Sequence, residues 1–143
     1  MYIARNKALA VLQELSHERI ILAADTVVVL NNQVIGKPKD RNHAIEILQS
    51  LSGRQHQVIT GVVILAGEDE IAFADITDVW FHELSLDQVI FYVDKYKPYD
   101  KAGAYAIQEW IGVTGIKSVK GDFYNVMGLP VSRVVQALAT VSL

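Results

Sequence analysis

The sequence predicts a mixed-sheet α/β domain, and three observations carry that prediction. Segments with helical spacing alternate with β-branched runs, at least two of those runs are joined by hairpin chemistry, and no repeat or linker divides the 143 residues. A chain of this length buries roughly two thirds of its unfolded surface around one core, so residues 1–143 are read as a single domain.

The elements follow in order. Ile3, Lys7, Ala8, Val11, Leu12 and Leu15 recur at three- and four-residue intervals, the pattern of an amphipathic helix. Arg19 to Leu30 reads as a buried strand, and Asn31 to Gln33 supply the turn to a short second strand at Val34 and Ile35, which makes a hairpin. Asp40 is placed to cap a helix through Ile45, Leu48 and Leu51, which Gly53 ends in a left-handed conformation. His56 to Leu65 is the next strand, and Ala66 to Glu70 turn it into the alternating segment Ile71 to Glu83, its antiparallel partner. Ser85 and Gln88 form a capping box that opens a helix over Leu86 to Val93. A Gly-punctuated strand follows around Ile116 to Val119, and Pro130 takes the first position of a closing helix through Val134, Val135 and Leu138.

Composition excludes several classes of function. The chain has no cysteine, which removes disulfides, thiolate catalysis and cysteine-ligated metals. Its longest apolar runs fall far short of the roughly 20 residues that cross a bilayer, and its N-terminus lacks the order of a secretory signal, so the expected location is the cytoplasm. A formal charge of −3 argues against binding a nucleic-acid polymer. Six of the 13 Lys and Arg residues nonetheless fall in two short segments, Gly36 to Arg41 and Asp94 to Lys101. These read either as solvated loops or as a site for a small polyanion such as a phosphate chain.

The common nucleotide and zinc motifs are missing: there is no GxxxxGK[ST], no GxGxxG and no HExxH. His17, His43, His56 and His82 are scattered without ligand spacing and read as surface or strand-edge residues. Tyr99, Tyr105 and Trp110 are candidates for stacking on a base, although packing is the commoner use of such residues. What stands out is a set of polar insertions in apolar surroundings: AADTVV, GKPKD, LSGRQHQVITGV, KPYDKAGAYAIQ and GDFYNVMGLP.

In this order and spacing, the five fragments resemble the Maf family, septum-formation inhibitor-like proteins that are nucleoside triphosphate pyrophosphatases with an inosine-triphosphatase-like fold. The resemblance implies a divalent cation, Mg²⁺ or Mn²⁺, and a nucleoside triphosphate substrate. It further suggests a homodimer. It places Asp25 of AADTVV as the general base for the attacking water, a role a strand-end carboxylate can fill. Lys37, with Lys101 and with Lys7 on the first helix, would supply positive charge to the phosphates. Thr26 and Gln108 match the branch acting on dTTP and UTP, and a glutamine amide suits the O4 and N3–H edge of uracil or thymine. Asp100 would assist with metal or orient Lys101, and GDFYNVMGLP would shape the turn into the last helix.

Family members normally begin with a strand and an SxSPRR loop that binds phosphates, and nothing like it occurs here, so the expected fold is N-terminally truncated. A start assigned too far downstream, a fragment and a naturally short protein are the three explanations the sequence leaves open. The loss would expose a sheet edge or an apolar face and weaken transition-state stabilisation by on the order of a few kcal/mol. The rival reading is therefore a non-catalytic nucleotide-binding or regulatory protein linked to septum formation.

Overall fold

The computed structural model describes residues 2–14 and 20–141. Helix α1 (Tyr2–Glu14) precedes a five-stranded sheet of order β2-β1-β3-β4-β5, formed by β1 (Ile20–Leu30), β2 (Gln33–Ile35), β3 (Gln55–Ala66), β4 (Asp69–Phe81) and β5 (Ile116–Lys120). Helix α2 (Arg41–Leu51) joins β2 to β3, and α3 (Leu86–Tyr96) follows β4. A 3₁₀ turn at Ala102–Ala104, then α4 (Trp110–Gly115), α5 (Phe123–Met127) and α6 (Val131–Leu138), complete the chain.

The helix-flanked α/β class holds. Every strand pairing is antiparallel, so the parallel component of a mixed sheet does not occur among the described strands. Short connections explain part of this: Asn31 and Asn32, at φ +51° and +64°, turn β1 into β2, and Gly67 and Glu68 turn β3 into β4. Asp40 caps α2 by accepting from the His43 amide, Ser85 and Gln88 form the capping box of α3, and Gly53 takes φ +67°. Pro130 sits one position earlier than expected, as the residue preceding the first helical turn of α6. Val11 and Leu12 fall within α1, but their side chains, and all of Leu15, His17 and Arg19, lie outside the described residues.

The sheet buries its two faces differently. On one face, Ala4 and Ala8 of α1 pack on Ile21, Val63 and Leu65. On the other, Val28, Leu30, Val58, Val79 and Phe81 meet α2, α3 and the segment from Ala104 to Ile111, forming the main core. Arg41 donates to Asp94 through Nε and Nη2, at 2.7 and 3.1 Å, and so ties α2 to α3 across the mouths of the two basic loops. That hydrogen bond holds the Asp94 carboxyl below its ordinary range. His56 is corrected from a surface or edge residue to a buried one, because it lies on the core face of β3, stacked on Phe81.

Strand β2 pairs only with Val28, Val29 and Leu30, which leaves Ile20 to Val27 of β1 without a strand partner on that side among the described residues.

Candidate active site

The part of β1 that β2 leaves uncovered opens into a cavity of about 270 Å³. Its wall includes all seven residues that the sequence singled out: Lys7, Asp25, Thr26, Lys37, Asp100, Lys101 and Gln108. They come from α1, β1, the loop after β2 and the two loops after α3, and they span a hundred positions of sequence. Three ammonium groups against two carboxylates give this wall a net positive charge. Val28, Val58, Val126 and Met127 line an apolar side.

Alternation along β1 sends Asp25 and Thr26 to opposite faces of the sheet. Asp25 lies opposite Gly61, on the α1 face, where Lys7 reaches it: Nζ is 3.0 Å from Oδ1 and also donates to the carbonyl of Ala24 at 3.3 Å. Thr26 lies opposite Thr60, and their hydroxyls are 2.9 Å apart. Thr26 Oγ1 also reaches the carbonyl of Gly128 at 3.4 Å, and Thr60 Oγ1 that of Asn125 at 3.3 Å. The AADTVV motif thus combines a cavity carboxylate on one face with a strand-to-loop tie on the other, which is why two polar residues interrupt an apolar strand.

The two basic loops are joined. The Gly103 amide donates to the Gly36 carbonyl at 3.2 Å, next to Lys37 on one side and near Lys101 on the other. Gly103 takes φ +73°, and a Cβ there would lie 2.9 Å from a Val28 methyl, so the close approach depends on glycine. The Lys37 loop is braced further by the Lys39 amide donating to His43 Nδ1 at 2.9 Å. Lys101 lies 3.8 Å from Asp100, the lysine partly and the aspartate largely exposed.

Gln108 is exposed at the rim. Of the aromatic candidates, Tyr105 is buried and hydrogen-bonded to His56 Nε2 at 2.6 Å while also lining the cavity, and Trp110 packs against Phe91 and Tyr92 away from it. Tyr99 is partly exposed. Sequence reasoning missed Thr60 and Asn125. Asn125 Nδ2 donates to the carbonyls of Val58 and Asp75 and to Thr77 Oγ1, pinning α5 onto β3 and β4 behind the cavity. Only the strand register, invisible in a single sequence, brings those groups together.

Among the described residues, no cluster of three or more His, Asp or Glu side chains could hold a metal ion, and no helix is long and apolar enough to cross a membrane.

Known proteins resemble this chain over most of its length. The chain is 48% identical over 132 residues to a protein of Bacteroides thetaiotaomicron named dTTP/UTP pyrophosphatase, covering 92% of this chain and 68% of the relative. Proteins of the same name from Bacteroides fragilis and Cytophaga hutchinsonii are 46% and 49% identical over 138 residues, which is 96% of this chain and 72% and 63% of theirs. Residues 1–141 match the family described as Maf-like protein. By this match, the chain belongs to the Maf-like protein family.

Proposed function

We propose that this protein is a nucleoside triphosphate pyrophosphatase that hydrolyses dTTP and UTP to the monophosphate and pyrophosphate. One observation carries the reading: residues distant in sequence converge on one cavity whose lining holds two carboxylates and three ammonium groups together with apolar side chains. The names of the relatives support the substrate class.

Hydrolysis between the α- and β-phosphates needs an activated water and positive charge on the phosphate oxygens. Asp25 takes the proton from water, which attacks the α-phosphorus as pyrophosphate leaves. Lys37 and Lys101 hold the phosphate oxygens and the developing negative charge. Lys7 links the two tasks, because a triphosphate entering the cavity competes for its ammonium and releases Asp25 from the ion pair. Gln108 reads the base edge, and Thr26 keeps β1 registered against the loop that closes the cavity.

Asp25 and Asp100 are the two carboxylates on the wall, and Mg²⁺ is commonly held by one or two carboxylates together with substrate phosphates. This donor set fits Mg²⁺ or Mn²⁺ shared with the nucleotide, with Asp100 contributing on the protein side. Such an ion would neutralise phosphate charge. Action as a cytoplasmic homodimer is part of the same reading.

A second reading, nucleotide binding without turnover and a regulatory part in septum formation, is favoured by the Lys7–Asp25 pair, which occupies the carboxylate with an ammonium partner. Ion-exchange analysis of products from dTTP, UTP, GTP and 7-methyl-GTP with Mg²⁺ separates the two. Monophosphate and pyrophosphate from dTTP or UTP support the enzyme; tight binding with no product supports the regulator.

A further inference from the structure

Gln108 sits in a short turn, and both ends of that turn meet one buried phenol. The Glu109 amide donates to the Ala106 carbonyl at 3.1 Å, closing the turn with Gln108 projecting from it. The Ala106 amide donates to Tyr92 Oη at 3.1 Å, and Tyr92 Oη donates to Glu109 Oε1 at 2.6 Å. Tyr92 itself is fully buried on α3. Burial, followed by the hydrogen bond to Glu109, pushes its pKa up, so the hydroxyl keeps the proton it donates. The turn is fixed from its far side too: a Cβ on Gly112 would come within 1.7 Å of the Ile107 carbonyl oxygen, so Ile107 seats against bare backbone.

We propose that Tyr92, remote from the substrate, is a positioning residue for base recognition: its hydroxyl clamps Ala106 and Glu109 and so fixes where Gln108 enters the cavity. The inference rests on the reading of Gln108 as the group that meets the base. Gln108 is exposed, and an exposed side chain selects a ligand only if its backbone is held. Neither Tyr92 nor Glu109 lines the cavity.

Tyr92→Phe keeps the ring and removes the clamp. Steady-state kinetics on UTP, with inorganic triphosphate as a competitive inhibitor that has no base, isolates the effect. The expected result is a KM for UTP raised about tenfold with kcat within about twofold, and an unchanged inhibition constant for triphosphate. Adding Tyr92→Phe to Gln108→Ala is expected to raise KM no further than Gln108→Ala alone. Equal weakening of UTP and triphosphate, or additive effects in the double variant, would overturn the proposal. If the unmutated chain does not turn over UTP, the proposed activity falls instead. The clamp is then decided by the Gln108 side-chain amide resonances, which Tyr92→Phe moves if the clamp sets the residue and leaves in place if it does not.

Discussion

Lys7 Nζ lies 3.0 Å from Asp25 Oδ1, so the first helix and the first strand meet through opposite charges at the mouth of the cavity. The ammonium is about half exposed, and a pair of that kind adds little to stability, typically under about 1 kcal/mol. Its value is therefore sought in function. Asp25→Asn is expected to lower kcat by roughly 10²–10⁴-fold, the usual contribution of a general base, with the melting temperature nearly unchanged. Nucleotide binding, measured by calorimetry, is expected to persist; a variant with undiminished kcat would remove Asp25 from the mechanism.

Lys7→Ala separates the two halves of the pair. If the ammonium transfers from Asp25 to phosphate when substrate enters, the KM for UTP rises about tenfold, matching the loss of one charge-assisted contact. The effect shrinks as salt is raised from about 0.05 to 0.5 M, because an exposed cation is screened. Initial rates across a salt series check this.

Gly112→Ala tests the seating of the Gln108 turn. A methyl group cannot occupy a point 1.7 Å from the Ile107 carbonyl oxygen, so the turn or α4 must shift. The expected cost is about 3 kcal/mol or more, read from urea denaturation, which places this glycine among the severe substitutions.

His56 makes stability depend on pH. Burial lowers its pKa to about 4, and the ring is covered by Phe81 and hydrogen-bonded to Tyr105. The unfolded imidazole, at about 6.5, binds a proton that the folded one refuses. The stability His56 contributes is thus complete above about pH 6.5 and is lost as pH falls toward 4, on the order of 3 kcal/mol across that window. Urea denaturation at pH 7 and pH 4.5 is expected to show this loss, and His56→Gln to flatten the slope.

Local signals explain what could be read in advance. The two asparagines that turn β1 into β2, the capping box of Ser85 and Gln88 and the cap at Asp40 are short-range chemistry, and each lies where the sequence put it. The seven cavity residues were legible for a different reason, because their motifs resemble those of a known family. Helix α4 escaped notice, since six residues with two glycines carry almost no periodic signal. Asn125 looked like turn chemistry in GDFYNVMGLP, but its three partners lie 48 to 67 positions away in the chain. Long-range pairing of this kind, like the direction of each strand, is settled by packing rather than by local propensity.

Among the described residues, Ile20 to Val27 of β1 have no strand partner on one side. Open strand edges are where chains stick to one another, and charged side chains are a common guard against it. Lys7 and Asp25 stand beside this stretch and line the cavity. Neutralising either charge is therefore expected to lower the solubility of this chain as well as its turnover.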